Sequence, residues 1–158
     1  MAGTVGHNGG TKHADRWVWL HAAGFGAAPR SWLELVLARI KVGPARLPWT
    51  AFGAGSLGGE LISLGGLGRR PAVTVDAGQL TGSIPAPAGR LDLTVSTADD
   101  DAVAVAYTDL RGGIRLVRHA ALATANLRAR SPDDRVAGAV GADAADLIPR
   151  LKSIVDAL

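Results

Sequence analysis

Glycine interrupts the apolar sequence at short and nearly regular intervals, and this spacing constrains the fold more than any other feature. The chain has 21 glycines in 158 residues. Short apolar runs bounded by Gly and Pro are typical of β-strands rather than of long helices. Strands are expected at roughly 16–23, 32–42, 45–56, 60–64, 72–76, 79–84, 90–97, 102–108 and 114–129. The pattern predicts a mainly β, antiparallel barrel or sandwich of about 8–9 strands.

Alternation of side chains supports several of these strands. Apolar and polar residues alternate strictly from Arg90 to Ser96, which predicts one buried face and one solvent-exposed face. The segment 31–42 also has helical propensity, since Leu, Glu, Ala and Arg favour helices. A helix there would place apolar residues all around the cylinder, and Pro29 and Pro44 flank the segment, so a strand is expected.

The C-terminal segment has a different pattern. Leu147, Leu151, Ile154 and Leu158 recur at helical intervals, and Asp143 is a suitable N-cap. This spacing predicts a C-terminal α-helix at about 143–158. The expected organisation is a flexible segment at 1–14, a β-domain at 15–131 and a tail at 132–158 that contains the helix.

Composition excludes several classes of protein. With 17 basic and 14 acidic residues the net charge is +3, and the basic residues are scattered without a five-residue basic run, so nucleic-acid binding is not expected. Cysteine is absent, which excludes disulfides and thiolate metal sites. The N-terminus has no apolar core of a signal peptide, so a cytoplasmic location is expected.

Histidine and tryptophan are concentrated near the N-terminus. Three of the four histidines and two of the four tryptophans lie between His7 and His21. Trp17, Trp19 and His21 lie two residues apart, so an extended strand would present all three side chains on one face. An imidazole beside two large apolar rings is typical of a pocket wall.

Four stretches carry a family resemblance, and together they cover roughly residues 6–128. They are His7-Asn8-Gly9-Gly10 with Arg16-Trp17-Val18-Trp19-Leu20-His21, Gly43-Pro44-Ala45-Arg46-Leu47-Pro48-Trp49, Leu64-Gly65-Gly66-Leu67-Gly68-Arg69, and Val105-Ala106-Tyr107-Thr108-Asp109 leading to Val117-Arg118-His119-Ala120. In order and spacing the chain resembles the lipocalin-like family that includes tocopherol cyclase and the carotenoid 1,2-hydratases. Gly9 departs from the family pattern, which usually has an aromatic residue after the His-Asn pair.

The resemblance implies a fold and a chemistry. Family members usually carry two related β-domains, and this chain resembles the second, so the first domain is expected on another chain unless this is a stand-alone form. The family protonates an isoprenoid double bond and stabilises the resulting carbocation. Such chemistry needs a positioned acid, aromatic faces and a water-poor cavity.

Candidate site residues follow from the residue types and the resemblance. His21 and Asp15 are the candidate catalytic residues. The candidate ligand-binding residues are His7, Asn8, His13, Trp17, Trp19, Trp32, Trp49, Phe52, Tyr107 and His119. His21 and His119 could also be structural core histidines. The spacing of His7, His13 and Asp15 fits no zinc signature, and no metal or other cofactor is expected.

Two functions remain open at this point. The first is binding of a hydrophobic, isoprenoid-like small molecule in a β-barrel pocket, with acid-catalysed cyclisation or hydration as the associated chemistry. The alternative is a non-catalytic β-domain that associates with itself as a homodimer, or with a separate N-terminal β-domain, through an exposed sheet and the C-terminal helix. Peripheral membrane contact is compatible with either function.

Overall fold

The described part of the chain is almost entirely β-structure. A computed structural model describes residues 14–25, 28–57, 59–76, 78–108, 112–120, 123–131 and 150–156. The strands are β1 (Arg16–Phe25), β2 (Ala28–Arg39), β3 (Lys41–Val42), β4 (Ala45–Arg46), β5 (Thr50–Leu57), β6 (Glu60–Gly65), β7 (Ala72–Asp76), β8 (Gln79–Ala86), β9 (Gly89–Ser96), β10 (Ala102–Thr108), β11 (Ile114–Ala120), β12 (Thr124–Arg130) and β13 (Arg150–Asp156). A 3-10 turn at Asp99–Asp101 precedes β10.

The strands form two main antiparallel sheets and one short hairpin. The larger sheet has seven strands in the order β10-β11-β13-β1-β2-β5-β6, and the smaller has four in the order β12-β9-β8-β7. Strands β3 and β4 form a separate two-stranded hairpin. The chain passes from one main sheet to the other after β6, β9, β11 and β12, so the two sheets are built from interleaved parts of the sequence.

The hydrophobic core lies between the two main sheets. Alternate residues of β1 and β2 face inward, and their partners come from β8, β9 and β12 of the smaller sheet. The largest fully buried side chains are Leu20, Leu35, Leu37, Ile84, Leu91 and Val18. Branched aliphatic residues at every second position of a strand fill such a space well, which is why these segments form strands.

Gly65 shows how closely the backbone packs at the end of β6. It has a φ of 70°, and a Cβ atom there would lie 2.0 Å from the carbonyl oxygen of Ala51. The next residue, Gly66, donates its N–H to the same carbonyl oxygen at 2.8 Å. Only glycine can follow this path without displacing β5.

The predicted β class, antiparallel pairing and most strand positions are confirmed, and two details of the strand prediction are corrected. Residues 114–129, predicted as one strand, form β11 in the larger sheet and β12 in the smaller one. The predicted strands 32–42 and 45–56 are both interrupted, because their ends at β3 and β4 belong to the separate hairpin. In both cases the continuous apolar pattern hides the point at which the chain leaves one sheet.

Of the predicted barrel or sandwich, a closed barrel is not found among the described residues, and the predicted C-terminal helix is not supported. Within the part of the chain that the structure describes, both main sheets are open, with β10 and β6 at the edges of the larger sheet and β12 and β7 at the edges of the smaller. Within the predicted helix 143–158, residues Arg150–Asp156 form β13, which pairs with β1 and β11. The remainder of that helix lies outside the described residues. Pairing with strands on both sides gives the backbone N–H and C=O groups of β13 hydrogen-bond partners. This stabilisation outweighs the helical preference indicated by the spacing of its apolar residues.

Candidate binding face

The tryptophan and histidine side chains of β1 lie on the outer face of the seven-stranded sheet, away from the core. Val18 and Leu20 face inward and are almost fully buried. Because side chains alternate along a strand, Trp17, Trp19 and His21 all project from the opposite face. The predicted sharing of one face by these three residues is therefore confirmed, and the face is the exterior of the sheet.

Strands β2 and β5 extend this surface. Directly paired residues of antiparallel strands project from the same face, with Cβ atoms about 4.5–5.5 Å apart. His21 pairs with Glu34, and Glu34 pairs with Ala54. Trp19 pairs with Val36, which in turn pairs with Phe52. We call the surface formed by Trp17, Trp19, His21, Trp32, Glu34, Val36, Phe52, Ala54 and Ser56 the tryptophan face.

Polar groups lie among the aromatic rings of the tryptophan face. The indole Nε1 of Trp19 donates a hydrogen bond to Oε1 of Glu34 at 3.3 Å. The rings of Trp19 and His21 are stacked, with centroids 6.2 Å apart and an angle of 28° between their planes. All three side chains are partly buried. A carboxylate, an imidazole and an indole therefore converge at the centre of an otherwise apolar surface.

Glu34 is the residue of this constellation that was not predicted from the sequence. It lies between Leu33 and Leu35, both of which are buried in the core. The signal was available, since a strand over this segment places Glu34 on the same face as Trp32. The apolar character of the whole segment obscured it.

The same outer face continues across β13 to β11 and β10. His119 pairs with Val103 on one side and with Ile154 on the other, and Ile154 pairs with Trp19. Tyr107 lies on this face of β10 as well, since it is four residues from Val103. Nε2 of His119 is buried and has no hydrogen-bond partner among the described residues. The surface thus joins seven of the predicted site residues: Trp17, Trp19, His21, Trp32, Phe52, Tyr107 and His119.

The other predicted site residues lie elsewhere. Asp15 precedes β1 and is about 20 Å from His21, because six residue steps of nearly extended chain lead from one to the other. Its carboxylate Oδ2 pairs with Nε of Arg46 at 3.1 Å and with Nη2 of Arg39 at 3.9 Å. The structure therefore does not bring the two predicted catalytic residues together. His7, Asn8 and His13 lie outside the described residues.

Trp49 lies on the side of the larger sheet that faces the core. It packs against the buried residues between the sheets. The guanidinium of Arg39 lies 5.3 Å from the centre of its ring, within the range of a cation–π contact. Trp49 is thus separated from the other three tryptophans by the larger sheet.

A small cavity lies between the sheets next to the core. This cavity of about 20 Å³ is lined by apolar side chains such as Leu20, Leu80 and Val95 and by polar ones such as Gln79 and Arg118. It has room for about one water molecule, whereas pockets for small-molecule ligands occupy about 300–1,000 Å³. An isoprenoid does not fit in this cavity.

Comparisons with known proteins identify no family. No family model, curated protein or solved structure matches this chain at a significant level. The resemblance to lipocalin-like cyclases and hydratases therefore remains a prediction. Among the described residues, no helix is long and apolar enough to cross a membrane, and no three His, Cys, Asp or Glu side chains are grouped as metal ligands.

Proposed function

We propose that the protein binds a hydrophobic small molecule with a polar end on the tryptophan face. The observation that carries this proposal is the Trp19–Glu34–His21 constellation at the centre of an aromatic and aliphatic surface. Binding sites for small molecules are mostly apolar and contain a few placed polar groups that orient the ligand. The family resemblance narrows the ligand class to isoprenoid compounds.

The geometry assigns a separate role to each part of the face. Trp19, Val36 and Phe52 form one apolar row, and Trp32 lies beyond Glu34 on the same strand. Ala54, which pairs with Glu34, is the smallest side chain near the centre. The apolar chain of the ligand lies along these rows, and its hydroxyl or carbonyl group contacts Glu34 or His21.

Catalysis is a separate step that this geometry supports less directly. His21 is the central group that can deliver a proton, and the flanking indole rings can stabilise a cation. Carbocation chemistry also needs exclusion of water. Phe52 on the tryptophan face is 45% exposed, so the proposal is limited to binding.

Titration of tryptophan fluorescence with farnesol, a prenylated hydroquinone and oleic acid tests the proposal. We expect saturable quenching by one of the isoprenoids and about tenfold weaker binding by Trp19→Ala, which loses an aromatic contact. Trp49→Phe is the matched control, because Trp49 lies on the core side, and its affinity should equal that of the parent. Equal affinity of Trp19→Ala and the parent, or no binding to any of the three compounds, would show that the tryptophan face is not the ligand site.

A second function has its own supporting observation. Exposed apolar side chains reach both edge strands of the larger sheet, with Val103 60% exposed on β10 and Leu61 72% exposed on β6. A small ligand does not cover that width, and apolar surfaces of this extent also mark protein interfaces. We propose association with a second copy of the chain through this face as the alternative function.

The oligomeric state distinguishes the two functions. If the face is a dimer interface, light scattering should give twice the monomer mass, and Val103→Lys should shift the equilibrium to monomer. A parent protein that remains monomeric at high concentration rules out self-association. A dimer that Val103→Lys leaves intact would place the interface elsewhere.

A further inference from the structure

The β3–β4 hairpin is an amphipathic projection from one end of the molecule. Lys41 pairs with Arg46, and Val42 pairs with Ala45. The N–H of Leu47 donates to the carbonyl of Ile40 at 2.9 Å and closes the base of the hairpin. By strand alternation one face carries Ile40, Val42, Ala45 and Leu47, and the other carries Lys41 and Arg46.

Both faces of this hairpin are exposed. Every residue from 40 to 48 is exposed, and Ile40, Val42 and Leu47 are 48%, 58% and 43% exposed. Burial of these three aliphatic side chains would be favourable, and their exposure to water forgoes that free energy. The hairpin extends about 10 Å from its base, given the rise per residue of a strand.

A second loop adds to the same end of the molecule. Residues 66–71 leave β6 beside the start of β5, as shown by the hydrogen bond from Gly66 N–H to the Ala51 carbonyl. This loop carries Leu67, which is 88% exposed, followed by Arg69 and Arg70, which are also exposed. Two exposed loops at one end thus combine aliphatic tips with basic side chains.

The charges of the molecule are separated along the strand direction. The end with the β3–β4 hairpin has Lys41, Arg46, Arg69 and Arg70 in its exposed loops. The carboxylate of Asp15, at the same end, is already paired with arginines. The opposite end, where β2, β6, β8 and β10 begin, carries exposed Glu60, Asp76 and Asp99–Asp101, with Asp99 paired to Arg118, and one exposed arginine, Arg30. Its exposed charge is therefore mainly acidic. Four exposed basic residues that are distant in the sequence are therefore brought to one end by the fold.

We propose that the basic end docks on an anionic lipid surface, with the β3–β4 hairpin inserted into the headgroup region. Peripheral insertion combines shallow burial of apolar side chains, about 5–10 Å deep, with attraction of basic residues to anionic lipids. The length of the hairpin matches that depth. The acidic opposite end is repelled by the same surface, which fixes the orientation.

The side chains at these tips favour a lipid surface over other anionic partners. Binding of single-stranded nucleic acid relies on aromatic side chains that stack on bases. The exposed tips carry Ile40, Val42, Leu47 and Leu67, which are all aliphatic. Two basic ends would repel each other, so a symmetric contact between two copies through this end is disfavoured.

Vesicle flotation tests the proposal directly. The parent protein should float with phosphatidylcholine vesicles that contain phosphatidylglycerol and remain unbound with pure phosphatidylcholine. Because each basic residue near an anionic surface contributes about fivefold to partitioning, the triple variant K41Q/R69Q/R70Q should bind about 100-fold more weakly. The triple variant I40S/V42S/L47S keeps all charges and should also lose at least about tenfold.

A matched control distinguishes insertion of the hairpin from nonspecific adsorption of exposed apolar side chains to the vesicles. Leu61→Ser removes an exposed aliphatic residue of β6 near the acidic end and should bind like the parent. All substituted side chains are exposed, and circular dichroism of each variant verifies the fold. Equal binding to neutral and anionic vesicles, or normal binding by either triple variant, would overturn the proposal.

A probe on the hairpin reports insertion in an otherwise unchanged protein. The chain has no cysteine, so Val42→Cys can be labelled at one position with an environment-sensitive dye. Its emission should shift to the blue on anionic vesicles, whereas the same dye at Leu61→Cys should not respond. No shift at position 42, or tighter binding of the protein to single-stranded RNA than to these vesicles, would contradict lipid docking.

Discussion

The indole N–H of Trp19 on β1 donates a hydrogen bond to the carboxylate of Glu34 on β2, at the centre of the outer face of the larger sheet. Neither residue belongs to the core. The bond holds the indole ring beside the imidazole of His21 and partly satisfies a carboxylate that is surrounded by apolar side chains. The arrangement places a carboxylate and an imidazole side by side on a largely apolar surface.

Removal of the Glu34 carboxylate should weaken this arrangement without unfolding the protein. Glu34→Ala removes the acceptor, and a typical hydrogen bond of this kind contributes about 1 kcal/mol to the free energy of unfolding. Glu34→Gln keeps an acceptor oxygen and should lose less than about half of that. Urea denaturation of the two variants measures both values. If both variants lose the same amount, the hydrogen bond is not the source of the stabilisation.

The two faces of the larger sheet should respond very differently to truncation. Leu35 is fully buried between the sheets, and Leu35→Ala should cost about 2–5 kcal/mol of unfolding free energy. Phe52 is 45% exposed on the tryptophan face, and Phe52→Ala should cost less than about 1 kcal/mol. Thermal or urea unfolding gives the comparison. A cost at Phe52 equal to that at Leu35 would show that a further layer buries the tryptophan face.

Most of the strand pattern was accessible from the sequence, because it depends on local signals. Glycine and proline mark the turns, and strict alternation from Arg90 to Ser96 gives β9 and its inward face directly. The grouping of strands into two open sheets depends on long-range pairing, which no local pattern contains. For the same reason β11 and β12 were predicted as one strand, since nothing in their composition marks the crossing between sheets.

The sequence predicts several residues of the candidate site, but it does not predict which side of the sheet they lie on. The spacing of Trp17, Trp19 and His21 correctly places them on one face, but spacing alone does not say whether that face is inside or outside. The inner face is set by Val18 and Leu20, whose partners come from the other sheet. The role of Asp15 also depends on tertiary structure, since its arginine partners Arg39 and Arg46 are distant in sequence.

Asp15 should stabilise the fold weakly through its ion pairs. Its side chain is 22% exposed and contacts Arg46, which is 61% exposed. Pairs of this exposure contribute about 0.2–1 kcal/mol and are screened by salt. Asp15→Asn should therefore lower the free energy of unfolding by that amount in low salt, and the difference should shrink in high salt. A salt-independent loss, or a loss of ligand binding with normal stability, would indicate a different role for Asp15.

Gly65 and Gly43 form a matched pair for testing backbone packing. Both have positive φ, but a Cβ atom at Gly65 would lie 2.0 Å from the Ala51 carbonyl oxygen, whereas at Gly43 nothing lies within 4 Å. Gly43→Ala should cost only the left-handed strain of about 1–2 kcal/mol. Gly65→Ala should cost clearly more, because β5 or β6 must also move. Equal unfolding free energies for the two variants would mean that β6 shifts freely at its end.

Deletion of residues 150–158 tests whether the C-terminus is an integral strand. Six residues of β1, from Val18 to Ala23, pair with β13, whose other edge pairs with β11. Without β13 the larger sheet is divided, and β1 and β11 both become unpaired edges, which promote aggregation. The truncated chain should lose cooperative unfolding or aggregate. A helix attached to the outside of the domain could be removed without this effect, because β1 would keep its backbone partners. A soluble truncated chain with the unfolding free energy of the parent would therefore exclude β13 from the sheet.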